Sequence, residues 1–183
     1  MAETKFNTKR VRFSYPHLFQ KDQNDKYSVQ LLIPKTDDVT MGKLKAACKQ
    51  VYLDHKTDVF KGLEFDEVNK PYHDGDGRKP KGGAYGPEAK GMWVVNASTN
   101  SKISIVDRER NKVIDEDTIY PGVYGRANIT VATYNMNGNK GIKCYLNGVM
   151  TYTYGERIGN VFNADDFDDG YEDPDNEEED DIL

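Results

Sequence analysis

The sequence predicts a mainly β protein with one principal helix, folded as a small, partly open antiparallel β-barrel. About five to seven short stretches alternate apolar and polar residues at the two-residue period of strands, while one longer stretch has the three- and four-residue spacing of a helix. Strands and helices do not alternate along the chain, as a parallel sheet with crossover helices requires. The clearest strand pair lies within 122–154. Val123, Gly125, Ala127, Ile129 and Val131 alternate there with Tyr124, Arg126, Asn128, Thr130 and Ala132. A turn-rich run at 135–141 follows, where Asn and Gly can take positive φ. Ile142, Cys144, Leu146 and Met150 then fall opposite Lys143, Tyr145, Asn147 and Thr151. The pattern is an antiparallel hairpin whose outer face shows Tyr124, Arg126, Tyr134, Lys143 and Tyr145. Cations among aromatic rings suit phosphates and stacked bases, although the same residues also make an ordinary soluble strand face.

In chain order, 1–8 is polar and expected to be loose. Val11, Phe13 and Tyr15 then alternate with Arg10, Arg12 and Ser14 until Pro16 ends the strand. Arg10 and Arg12 would line a cationic groove or protect a sheet edge from unwanted pairing. A second strand covers 26–33, with Tyr27, Val29, Leu31 and Ile33 on one face and Pro34 at its end. From Asp37 to about Phe60, Leu44, Ala47, Cys48, Val51 and Tyr52 mark the buried stripe of the helix, with Thr36 as its N-cap and Gly62 beyond its end. The segment 65–91 is rich in Gly and Pro and carries Tyr72, Arg78, Lys79, Lys81, Tyr85 and Lys90. A loop of this length is either a functional closure over phosphates and bases or a solvated excursion. It also holds His73, Asp74 and Asp76, too few ligands for a metal site and the only place where a magnesium-dependent nuclease could be sought. Strands at 92–97 and 102–106 follow, with Trp93 expected in the core.

Charge divides the chain in two. Twelve of the 31 acidic residues fall within 165–181, where there is no Lys or Arg, so the 25 basic residues of 1–164 face 19 acidic ones and the body carries a formal +6. The net charge of −6 therefore does not argue against a nucleic-acid partner. One folded domain is expected, a binding body at 1–164, followed by a disordered acidic tail at 165–183. Cys48 and Cys144 fall on apolar faces, as buried thiols of a reducing compartment do. No apolar run suggests a signal peptide or a membrane span. No cofactor, metal or catalytic group is predicted, and the protein is expected not to be an enzyme.

Several ordered motifs add to this reading: Val11-Arg12-Phe13-Ser14-Tyr15, Lys26 through Lys35, Asp74-Gly75-Asp76, Ile105-Val106-Asp107-Arg108, Tyr124-Gly125-Arg126-Ala127 and Gly138 through Ile142. Together they resemble a phage-encoded family associated with the single-stranded-DNA-binding proteins of replication and recombination modules. The resemblance implies an OB-type fold and sequence-independent binding of single-stranded DNA. The tail, closing in Asp180, Asp181, Ile182 and Leu183, resembles tails that compete with DNA for a basic groove and recruit replication or recombination proteins. Expected DNA contacts are Arg10, Arg12, Tyr72, Arg78, Lys79, Lys81, Tyr85, Tyr124, Arg126, Tyr134, Lys143 and Tyr145. The expected setting is the cytoplasm of an infected bacterial host. RNA binding and pairing of hairpin edges into a homo-oligomer stay open. A protein-interaction or DNA-mimicking module, with the tail as its active part, is the main alternative.

Overall fold

The computed structural model describes residues 3–159, 164–172 and 174. The strands are β1 (Lys5–Asn7), β2 (Val11–His17), β3 (Tyr27–Pro34), β4 (Tyr72–Asp74), β5 (Met92–Thr99), β6 (Ser104–Val106), β7 (Tyr124–Met136) and β8 (Asn139–Thr151), with α1 (Asp38–Asp54) between β3 and β4. Following hydrogen-bonded neighbours from β2 leads through β3, β5, β8 and β7 back to β2, so five strands form a ring. The expected mainly β, OB-like and partly open barrel is what forms. β1 and β2 run in succession along β7, giving a long antiparallel closure. The opposite seam is short and parallel, pairing Ala97 with Cys144 and Ser98 with Tyr145. The ring is therefore loosest between β5 and β8.

Alternation accounts for the core. Phe13, Leu31, Ile33, Val95, Ala97, Ile129, Val131, Ile142 and Leu146 are buried together, and α1 packs Leu44, Ala47, Cys48, Val51 and Tyr52 against them. Each large apolar side chain so buried contributes roughly 1.5–3 kcal/mol. Burial also pushes the Cys48 thiol up to about 12 and raises that of Cys144, so both stay protonated at neutral pH.

Several expectations need local correction. Within 1–8, expected to be loose, Lys5–Asn7 pairs with β7 as β1, and Phe6 and Thr8 are buried. The helix is capped by Asp37 rather than Thr36, because the Asp37 carboxylate accepts from the Thr40 amide at 3.0 Å. It also ends at Asp54 instead of near Phe60. A turn through His55 returns the fully buried Phe60 ring to within 5.9 Å of Tyr52, which two further helical turns would carry away.

β2 runs through Pro16 to His17 with a bulge between Ser14 and His17, so Ser14 turns inward and Tyr15 outward. A second bulge sits in the main hairpin. Asn128 pairs with Gly148 but Ile129 with Leu146, leaving Asn147 as the extra residue. Beyond it the alternation changes phase: Val149 and Thr151 are buried, and Met150 moves to the outer side. The hairpin turns at Asn137 and Gly138, both at positive φ as a two-residue loop requires.

The segment 65–91 is more ordered than a bare loop. It contains β4, two short 3-10 turns (Phe65–Glu67 and Pro87–Ala89) and a reversal in which Arg78 bridges to Ala84. After the barrel, Ala164–Phe167 forms a 3-10 turn. Asp180, Asp181, Ile182 and Leu183 lie outside the described residues.

Candidate nucleic-acid interface

The outer face of β3 and β5 is polar toward the Tyr27 and Thr99 ends, while Leu32 and Val94 on the same face lie buried under Ala89 and Tyr85. Ser28 pairs with Ser98 and Gln30 with Asn96 across the two strands. These side chains floor a recess of about 570 Å³ that is walled by Tyr15, His17, Lys26 and the 22–24 turn. A second recess of about 300 Å³ continues from it through Lys26, Asn96 and Ser98, across the loose β5–β8 seam, to His73, Tyr134, Met136 and Lys143. Together they make one groove over the outside of the barrel. Its volume suits flat bases rather than a single ion.

Tyr15 is placed by the β2 bulge. Its φ of 47° is uncommon for a bulky side chain, and the ring is 62% exposed beside the groove. Holding such a backbone costs on the order of 1–3 kcal/mol, and residues held in this way cluster at functional sites.

Electrostatics point the same way. Asp22 is the carboxylate on the first recess, and it is occupied by the Ser28 hydroxyl at 2.6 Å and by the amides of Asn24 and Lys26. Those bonds hold it below the usual carboxylate range despite the opposing effect of burial. The Lys26 and Lys143 ammoniums have no acidic partner among the described residues. Burial first, and the Lys26 charge second, lower the Lys143 pKa to about 8. The Lys143 ammonium lies 4.2 Å from the Tyr145 ring centre. His73 is kept toward its neutral form by burial.

The structure gathers some of the residues expected from sequence and separates others. Tyr134 and Lys143 line the groove, and Tyr145 joins them only through its ring beneath the Lys143 ammonium. Arg126 does not join them: its Nε donates to the Thr8 carbonyl at 2.8 Å, filling the gap between β1 and β2, and it faces a different cleft with Arg110 and Asn7. Arg10, Arg12 and Tyr124 form a third group, with both guanidiniums over the Tyr124 ring. Arg78, Lys79 and Lys81 are exposed on the 78–84 reversal and line neither recess.

Tyr85 packs on the small apolar cluster of Leu32, Val94 and Ala89. Tyr72 stands edge-on to Trp93 at 6.0 Å, against the core. Asp74 and Asp76 both accept from Lys35, at 2.6 and 2.7 Å, and this pairing lowers both carboxyls and ties the base of the loop to β3. Tyr15, His17, Lys26, Ser28, Gln30, Asn96 and Ser98 are the groove residues that the sequence reading leaves out. The polar positions alternating with Val29, Leu31, Val95 and Ala97 were the available signal.

A protein-family model described as the single-stranded-DNA-binding protein of Enterobacter phage Enc34 matches residues 4–183. The chain is similar to the solved single-stranded DNA-binding protein from bacteriophage Enc34 in complex with ssDNA, at 26% identity, over 85% of this chain and 90% of that one, with a TM-score of 0.69. The C-terminal truncation of that protein matches at 26% identity, covering 85% and 89% of the two chains, with a TM-score of 0.69. The single-stranded DNA binding protein gp2.5 of bacteriophage T7 shares the fold, at 18% identity, over 94% of this chain and 97% of that one, with a TM-score of 0.54. No curated protein matches the chain.

Proposed function

The chain belongs to the single-stranded-DNA-binding protein family of Enterobacter phage Enc34, and from that premise we propose that it binds single-stranded DNA, without regard to sequence, in the groove between Tyr15 and Tyr134. One observation carries the placement: Lys26 and Lys143 crowd each other there with no carboxylate among the described residues to neutralise either. A phosphate between them relieves the repulsion and releases counterions. Tyr15 and Tyr134 offer ring faces to bases, and every base has a face to stack. The amides of Gln30 and Asn96 and the hydroxyls of Ser28 and Ser98 can both donate and accept, so the floor satisfies base edges without selecting among them. Paired bases cannot reach these faces, which sets single strands above duplex.

The protein acts on this reading as a non-enzymatic binder of phage replication or recombination intermediates in the bacterial cytoplasm. The acidic segment 165–183 competes for the groove when DNA is absent and is freed for protein partners when DNA binds. Among the described residues, no helix is long and apolar enough to cross a membrane.

Titration of labelled oligo-dT at several salt concentrations tests the placement. Changing Lys26→Ala together with Lys143→Ala should flatten the salt slope by about 0.7, the contribution of the one single-strand phosphate that the two lysines share. An unchanged slope would remove the phosphate from this groove.

A further inference from the structure

A second cluster of cations and rings lies outside the groove. The Tyr124 and Tyr154 rings are 5.5 Å apart, and those of Tyr154 and Tyr152 are 6.2 Å apart. Arg10 and Arg12 sit over Tyr124 at 5.1 and 5.8 Å, and Arg108 sits over Tyr152 at 4.7 Å. Arg10 also donates to the Tyr154 hydroxyl at 2.7 Å, while Arg12 donates to the carbonyls of Gly122 and Glu156. None of the three guanidiniums has a carboxylate partner among the described residues. Arg10, Arg108 and Tyr154 are exposed, Tyr154 at 43%.

The backbone between two of the rings is strained. Thr153 has a φ of 64°, a conformation that is a genuine outlier for a β-branched residue. Its hydroxyl donates to the Tyr152 carbonyl at 2.6 Å and its amide to the Thr151 hydroxyl at 3.1 Å, so two local bonds maintain the strained form. The result sets Tyr152 and Tyr154 side by side. A segment that only had to cover the β2–β7 seam would not need a left-handed threonine between two neighbouring tyrosines.

We infer that Tyr124, Tyr154 and Tyr152, with Arg10, Arg12 and Arg108, form a second stacking platform that takes up single-stranded DNA as it leaves the groove. The inference rests on the assignment of the groove to single-stranded DNA and extends the path of the strand. The two sites share β2: Arg12 borders the platform and Tyr15 the groove, three residues apart, or ~10 Å at 3.3 Å per residue. The exposed Tyr154 ring can take a base of any identity on its face, and the guanidiniums over the neighbouring Tyr124 and Tyr152 add phosphate contacts. Occupancy then depends on strand length, because a short oligonucleotide fills the groove before it reaches Tyr154.

Two labelled oligo-dT strands separate the sites, one of about eight nucleotides and one about twice as long, within the range of site sizes for such folds. Tyr154→Ala should weaken the long strand by about tenfold or more and leave the short one within about twofold. Tyr154→Phe, which keeps the ring and loses the bond to Arg10, should retain the affinity for the long strand. Arg108→Ala should flatten the salt slope by about 0.7 for the long strand alone. Equal losses at both lengths, or no loss at either, would overturn the platform while short-strand binding by the unaltered chain stands. Failure of the unaltered chain to bind either strand would instead defeat the groove assignment, and the platform with it.

Discussion

Lys143 is the residue at which the groove's electrostatics can be read directly. Burial and the neighbouring Lys26 both disfavour its charged form, and its pKa falls from 10.5 to about 8. Two opposite pH trends follow. Affinity for oligo-dT should decline as pH rises from about 7 to about 9, because the phosphate loses a cation. Between pH 8 and 10.5 the unfolded chain holds a proton that the folded chain has released, so the contribution of this group to stability rises over the same direction of pH. Lys143→Arg keeps its charge throughout and should flatten the affinity profile in an anisotropy titration; a profile still falling through pH 8 would assign the effect elsewhere.

Tyr15 makes the complementary case for stacking. Tyr15→Gly relieves the positive φ and removes the ring, so the melting temperature should hold or rise while affinity drops by roughly 5- to 150-fold, the range of 1–3 kcal/mol per stacked base. The salt slope should not move, since no phosphate contact is lost. The sequence shows that a tyrosine is present but hides its direction: simple alternation puts Tyr15 with Val11 and Phe13, and only the bulge turns it out. Pro16, which lacks an amide for the strand ladder, was the local sign of that irregularity.

At the level of elements, the sequence is most legible where one face is apolar over many residues. From Val123, just before β7, through Val131 within it, alternate residues point inward, and the α1 stripe from Leu44 to Tyr52 is buried as its spacing predicts. Legibility fails at Asn147, where one inserted residue reverses the phase of everything after it. It also fails at the helix ends, where Asp37 and Thr36 are adjacent residues that both can cap and the geometry chooses Asp37, the stronger cap by residue type. Asp37→Ala should lower stability by about 0.5–2 kcal/mol in chemical denaturation, whereas Thr36→Ala should change little.

Close packing of elements gives a sharper test. A methyl group on Gly125 would meet the Met150 carbonyl and the Phe13 ring, joining three barrel strands at one crowded point. Gly125→Ala should therefore cost about 1–3 kcal/mol from overpacking, and a neutral result would mean that the β2–β7–β8 contact is looser than described.

For the whole molecule, the division of charge is legible without any structure: a body of formal +6 joined to twelve acidic residues within 165–181. What composition does not show is how the body divides its cations. Lys26, just before β3, and Lys143, on β8, reach the same recess from either side of β5, although they are far apart in sequence. Arg126, next in the same alternating series as Tyr124, is drawn away by the Thr8 carbonyl.

If the acidic segment competes for the groove, a chain ending at Ala164 should bind oligo-dT more tightly than the full chain. The difference should shrink as salt screens the tail, and equal affinities at low salt would end the competition argument.

The central claim is that the strand lies in the groove outside β3 and β5. Photocrosslinking an oligonucleotide that carries iodouracil, followed by mapping of the modified peptides by mass spectrometry, tests it most directly. Adducts at Tyr15 and Tyr134 are expected, suppressed by unlabelled single strands and not by duplex. Adducts confined to the Arg110–Arg126 cleft or to α1, with Tyr15 and Tyr134 unmodified, would contradict the account.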